Sequence, residues 1–278
     1  MESEVMPEKM EVIHVDGISV SYTYYKGGAS FLFLFHGFGQ TADIYTAFIP
    51  QVRSQYSVIA FELFTSLKNN KTYEPVISIP QWNALIEQLR EKYSIEKFSI
   101  LSFSMGTRFA VSMLELQALR IQRMVLIAPD GFGNTVWFRI ATATYLSRKI
   151  FKAVMKHPET IKRIAKGMHK AGLLNQITYR FIERNLENKF LTEKIYQTWV
   201  YVRKLRMPPE AFISLINRHG IKLLFVLGKQ DQLVAAGKIR SIAMQTHAQL
   251  MELELAHHKL TQTIDGGEVK RFLISDGK

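Results

Sequence analysis

A serine, an aspartate and a pair of histidines stand in this chain where they could carry out acyl transfer. Ser104 lies in SFSMG (102–106), between the apolar, β-favouring run Phe98 to Phe103 and a stretch in which Met105, Phe109, Met113 and Leu116 recur at helical spacing. S-x-S-x-G is close to the G-x-S-x-G elbow, in which small flanking residues let a strand turn sharply into a helix and lift the serine hydroxyl above a sheet. A serine at a helix start can equally serve as a cap for free N–H groups, so its partners elsewhere in the chain decide the reading.

A serine is inert unless a base takes its proton and donors receive the oxyanion that forms. The run FLFLF ends in His36-Gly37-Phe38-Gly39, a glycine-rich turn whose backbone can approach a substrate. The N–H groups of Phe38 and Met105 are the expected oxyanion donors. Asp231, in LFVLGKQDQLV, falls just beyond an apolar strand, where open α/β sheets collect functional residues. A carboxylate there can hold an imidazole in one tautomer and stabilise its charged form. Asp130, after VLIAP, is the alternative acid, but its neighbours Pro129 and Gly131 suit a turn, so Asp231 is preferred.

The base is expected after the last strand, where LELAHHKL offers two histidines. Neither His14, His157, His169, His219 nor His247 occupies such a position. His258 is expected to be the base, because His257 falls where a turn residue would be expected.

These side chains need a frame to hold them. EVIHV and ISVSYTYY flank Asp16-Gly17 as a hairpin, and SFLFLF (30–35), YSVIAFEL (56–63) and RMVLIAPD (123–130) read as buried strands. IPQWNALIEQLREKY supplies a helix beginning near Pro80. Continuous apolar strands alternating with helices predict a mostly parallel sheet covered on both faces. The alternation resumes with IKLLFVLGKQD (221–231), a helical stretch, QLMELEL (249–255) and a C-terminal helix. Between the two parts, residues 131–215 read as entirely helical, with breaks at Pro158, Ala171-Gly172 and Pro208-Pro209, and with Trp137, Tyr145, Phe181 and Trp199 spaced among charges. The expected organisation is a core of residues 1–130 and 216–278 with a helical cap at 131–215.

Composition narrows the classes. The chain has 278 residues, 47% of them hydrophobic, and no cysteine, which excludes disulfides, thiolate metal sites and a cysteine nucleophile. No apolar segment is long enough for a membrane span and the first residues are polar, so a soluble, cytoplasmic protein is expected. The net charge of +12 is concentrated: residues 131–215 hold 16 Lys and Arg against 5 Asp and Glu, and the remainder 20 against 19. These cations are scattered over several helices, which argues against nucleic-acid binding and leaves at most weak contact with anionic membrane surfaces.

The HGFG turn, the SFSMG elbow, the GKQDQLV acid loop and the terminal histidine occur in order at suitable intervals, and in this the sequence resembles the α/β-hydrolase fold family in its capped, esterase- and lipase-like form. The likeness covers almost the whole chain. It implies the serine-aspartate-histidine order of that fold, with Ser104 as nucleophile, Asp231 as acid, His258 as base and the Phe38 and Met105 N–H groups as oxyanion donors. The implied activity is hydrolysis of a carboxylic ester, thioester or amide with an apolar acyl part, with no metal or organic cofactor. The same triad could serve C–C bond hydrolysis or acyl transfer, and a non-catalytic binding protein on this fold is the alternative from a different class. Three departures stand out: Ser102 replaces a glycine, FELFTSLKNN lacks the His and Gly frequent after that strand, and His257 stands where a glycine often precedes the base.

Overall fold

Strands form at the apolar runs in the computed structural model, which describes residues 9–69, 74–132, 136–174, 176, 179 and 189–275. They are β1 (Glu11–Val15), β2 (Ile18–Tyr25), β3 (Ser30–Phe35), β4 (Tyr56–Glu62), β5 (Phe98–Phe103), β6 (Ile121–Ile127), β7 (Lys222–Gly228) and β8 (Gln249–Leu253). The longer helices are α1 (Ile79–Tyr93), α2 (Gly106–Ser112), α3 (Val136–Ala143), α4 (Tyr145–Met155), α5 (Pro158–Lys170), α6 (Lys189–Tyr201), α7 (Pro209–His219), α8 (Ala236–Gln245) and α9 (Gly267–Ile274). Among the described residues no helix is long and apolar enough to cross a membrane.

Asp16 and Gly17 both take positive φ, 47° and 77°, as the tight primed turn of a two-residue hairpin requires. The sheet has eight strands in the order β1-β2-β4-β3-β5-β6-β7-β8. β2 pairs antiparallel with β1 and β4, and all other neighbours are parallel. Every residue of β5 is buried, as expected of a parallel strand covered on both faces. After β3 the chain moves outward to β4 and then crosses back to β5. The carboxyl ends of β3 and β5 therefore flank the point where strand order reverses, the usual place for a site in an open α/β sheet.

Alternation along the strands divides the core. Phe33 and Phe35 of β3 face an aromatic cluster, in which Trp82 of α1 lies 5.7 Å from Phe35, 5.5 Å from Phe61 and 5.1 Å from Phe109 between ring centroids. The Trp82 indole N–H donates to the Phe109 carbonyl at 2.9 Å, which satisfies its one polar group in the core. Ser78 and Gln81 form a capping box that starts α1, with Pro80 in its first turn. Leu32 and Leu34 face the opposite side, in a cluster with Val269, Phe272 and Leu273 of α9.

The chain divides into two compact units, Met1–Ser66 with Ile77–Gly133 and Leu205–Lys278, and Leu67–Val76 with Asn134–Lys204. This division differs from the expected 131–215 segment at both ends. α7 belongs with the sheet because its apolar positions Phe212 and Ile216, one turn apart, are buried; Phe212 lies 4.6 Å from Phe132 and 6.5 Å from Phe225. The helical unit in turn includes 67–76, reached through a short helix Thr65–Asn69 that stands where a His- and Gly-containing loop was absent from the sequence. Within this unit Phe138, Phe151, Tyr196 and Trp199 pack with ring centroids 5.1–5.4 Å apart. Phe181 lies outside the described residues, and of Trp137 only the backbone is described.

Candidate active site

The turn after β5 bends hard enough to need an unusual conformation. Ser104 takes φ +50°, a left-handed backbone that costs a non-glycine residue about 1–3 kcal/mol unless its surroundings impose it. They do so through three hydrogen bonds: the Ser104 N–H donates to Ile127 O at 2.9 Å, and its carbonyl accepts from Thr107 N–H at 3.0 Å and Asp130 N–H at 3.2 Å. Gly106 allows the approach, since a Cβ there would lie 2.3 Å from the Phe35 carbonyl oxygen and 2.6 Å from that of His36. Ser102 fits in place of a glycine because its hydroxyl is fully buried and shares a hydrogen bond of 3.1 Å with the Thr107 hydroxyl.

The loop after β3 is held beside this elbow. A Cβ on Gly37 would stand 3.2 Å from the Ser104 Cβ, so the two turns touch. The Gln40 side-chain carbonyl accepts from Gly37 N–H at 2.9 Å. His36, 1% exposed, donates from Nδ1 to Gly37 O at 2.8 Å and accepts at Nε2 from Leu63 N–H at 3.2 Å. Through these bonds His36 ties the ends of β3 and β4 together, with the Glu62 carboxylate 3.8 Å from its Nε2. Phe38 follows Gly37 in this loop, and Met105 follows Ser104 at the start of α2, where helical N–H groups lack partners within the helix.

Asp231 closes a turn after β7, its N–H donating to Gly228 O at 3.0 Å. Its side chain is 2% exposed, and Oδ1 accepts from the N–H groups of Leu233 at 2.8 Å and Val234 at 3.3 Å. Oδ2 accepts from His257 Nδ1 at 2.7 Å. With its proton on Nδ1, His257 presents Nε2 as an acceptor, 3.0 Å from Ser104 Oγ. Ser104, His257 and Asp231 thus form one hydrogen-bonded chain.

The histidine in this chain is His257, and the expectation of His258 is corrected. Residues 257–263 form a 3-10 helix, in which positions three apart share a face. Leu260 is fully buried, so His257 shares the inward face while His258 is exposed. The extended residue before that helix is Ala256, so the turn position assigned to His257 lies one residue earlier. The sequence held the signal: Leu260 and Ile264 are the apolar positions after the pair, and Leu260 is in phase with His257. Gly228 makes the approach feasible, because a Cβ there would lie 2.2 Å from the carbonyl oxygen of Leu255, two residues before His257.

Asp130, the alternative acid, has another role. Arg108 of α2, 3% exposed, grips its carboxylate with Nε at 2.8 Å and Nη2 at 3.1 Å. Because the Asp130 N–H also holds the Ser104 carbonyl, this bidentate pair braces the elbow from behind. Reading motifs overlooked Arg108, although a lone cation in GTRFAVSML is a visible signal of a buried partner.

A sequence profile described as the alpha/beta hydrolase fold matches residues 31–261. The chain belongs to the alpha/beta hydrolase fold family. Its curated relatives include the uncharacterized hydrolase YugF of Bacillus subtilis, 24% identical over 239 residues that cover 85% of this chain and 84% of that protein. Another is the dihydrolipoyllysine-residue acetyltransferase component of the acetoin cleaving system of Cupriavidus necator, 26% identical over 122 residues. That match covers 44% of this chain and only 32% of the relative. Among solved structures, a thermophilic esterase from Thermogutta terrifontis superposes with a TM-score of 0.63 at 14% identity, covering 96% of this chain and 97% of the esterase. The α/β hydrolase described here is accordingly an enzyme of the hydrolase class.

Proposed function

We propose that this α/β hydrolase cleaves a carboxylic ester, or the related thioester or amide, with an apolar acyl part, through an acyl-enzyme on Ser104. The observation that carries the reading is the single imidazole of His257 bonded at one nitrogen to Asp231 and at the other to Ser104 Oγ. Ser104 Oγ attacks the substrate carbonyl carbon while its proton passes to His257 Nε2. The electron pair displaced onto the carbonyl oxygen stays there as an oxyanion, to which the N–H groups of Phe38 and Met105 donate hydrogen bonds. Collapse of this oxyanion breaks the bond to the leaving group, which takes the proton from His257. Water then enters by the same route in reverse: it gives a proton to His257, attacks the acyl carbon and frees the carboxylic acid and Ser104. Asp231 keeps its negative charge throughout and stabilises the imidazolium formed in each half-reaction.

An apolar acyl part suits the side chains adjoining the nucleophile, Phe103 and Met105, both largely buried, with the Phe103 ring 5.4 Å from the His257 ring. The test is labelling with a fluorophosphonate, which requires an activated serine. A stoichiometric adduct on Ser104, absent from Ser104→Ala, is the expected result, and a series of p-nitrophenyl esters of increasing chain length then sizes the acyl pocket. No adduct on the folded protein would remove the serine-nucleophile reading.

A further inference from the structure

The helical unit contains a cavity of about 990 Å³ that no part of the proposed triad enters. All of its described lining comes from this unit: Leu67 and residues 74–76, helix α4 with the two residues after it, and helix α6 with Arg203 beyond its end. Its size is at the upper end for small-molecule sites. Two features distinguish its walls. Leu67, Val76, Met155 and Val200 supply apolar surface, with Met155 9% and Val200 1% exposed. Five cationic side chains, Arg148, Lys149, Lys152, Lys156 and Arg203, face two carboxylates, Glu74 and Glu193.

Local pairing does not cancel that excess. Glu74 is engaged by Lys152 and by the Tyr196 hydroxyl, which donates to both carboxylate oxygens at 3.1 Å. Glu193 accepts from Gln197 at 3.3 Å. Arg148 donates to the Thr142 carbonyl at 3.4 Å and is close enough to Glu74 to help Lys152, against the opposing effect of burial, hold that carboxyl below its ordinary range, so Glu74 is shared between Arg148 and Lys152. Among the described residues Lys149 and Lys156 have no ion pair, and Lys149 lies 4.7 Å from the Tyr145 ring centroid. Arg148, Lys152 and Lys156 recur every four residues, so one side of α4 and its end presents them together. Like charges gathered in a concave site raise the local potential and attract an anion.

We propose that this cavity binds an amphipathic anion, an apolar chain ending in a carboxylate or a phosphate monoester. The Arg148 guanidinium offers the planar donor pair that both head groups accept, Lys149 and Lys156 add charge, and the apolar wall takes the chain. A purely polar anion leaves Leu67, Val76 and Met155 uncovered, and a neutral amphiphile leaves the charges of Lys149 and Lys156 without a counterion. The ligand class therefore follows from the two kinds of wall together, and it holds whether or not Ser104 is the nucleophile.

Isothermal titration of the full chain carrying Ser104→Ala tests this with dodecanoate, dodecyl phosphate, inorganic phosphate and dodecyl maltoside, each amphiphile below its micellar concentration. Either or both of the two amphipathic anions bind, which tells carboxylate from phosphate, and their affinity falls as salt rises. Arg148→Gln with Lys156→Gln weakens them about tenfold. The single exposed change Lys156→Gln, about threefold weaker, serves if the double variant does not fold as judged by its thermal transition. Affinity unchanged by these substitutions, equal binding of the maltoside, or inorganic phosphate binding as tightly as dodecyl phosphate would each overturn the proposal.

Discussion

The sheet unit carries 19 Lys and Arg against 19 Asp and Glu, whereas the helical unit carries 17 against 5 and so accounts for the whole net charge of +12. The contrast extends to how individual charges are used. In the sheet unit buried charged groups are matched in pairs with defined geometry, Arg108 to Asp130 and Asp231 to His257. In the helical unit cations of one sign line a cavity, and apolar side chains are left in solvent: Leu146, Ile150 and Val154, spaced four apart on α4, are 67%, 56% and 38% exposed. Chemistry on a strained serine needs side chains fixed to within a fraction of an ångström, and balanced, paired charges do that. A field of one sign acts over distance and tolerates displacement, which suits recruitment of ligands.

If that division of labour holds, substitutions in the sheet unit change the chemistry and substitutions in the helical unit leave it nearly intact. The largest effect is expected from Ser104→Ala, which lowers ester hydrolysis by about four to six orders of magnitude without lowering the thermal midpoint; more than a few per cent residual activity would exclude Ser104 as the nucleophile. Next come the two acids. Asp231→Asn, which disturbs the tautomer of His257, costs about 10⁴ in kcat. Asp130→Asn leaves Arg108 with a weaker partner, costing about 2–3 kcal/mol of stability and far less turnover. Steady-state kinetics and denaturant unfolding of both variants rank them, and the opposite ranking would make Asp130 the acid.

A smaller effect is expected in the helical unit at high pH. Burial, reinforced by the neighbouring Glu74 carboxylate, pushes the Tyr196 phenol up to about 12, from a usual value of 10. The folded chain thus keeps a proton that the unfolded chain releases near pH 10. The stability this supplies is present in full below pH 10 and is lost as pH rises towards about 12. Phenolate absorbance followed through an alkaline titration, with Tyr196→Phe as reference, reads it directly; a Tyr196 that ionises at 10 would contradict the buried contact. The smallest effect belongs to neutralisation of Lys162, Arg163 and Lys166 on α5, which changes turnover of a small neutral ester by no more than about twofold. A tenfold loss would show that the helical charges take part in the reaction itself.

Much of the fold is legible in the sequence because short apolar runs and their turn residues are local signals. Asp16-Gly17, the β5 run and the strand before Asp231 all form where their composition places them. The order of the motifs was equally readable, since each lies at the carboxyl end of a strand. The choice between His257 and His258 was less accessible, because it depends on the phase of a single 3-10 turn, set by burial of Leu260. The unit boundaries depend on tertiary packing: prolines at 208 and 209 suggested a break within the helical segment, but Phe212 and Ile216 draw the following helix to the sheet. The Arg108–Asp130 brace joins residues on different elements, and only the fold brings them together.

The account rests on His257 as the group that activates Ser104, and the rate at which a fluorophosphonate labels Ser104 measures that activation without needing the natural substrate. His257→Ala is expected to slow labelling by about three orders of magnitude or more, while His258→Ala, at an exposed position, stays within about threefold of the wild-type rate. Slow labelling in His258→Ala with a near-normal rate in His257→Ala would contradict it.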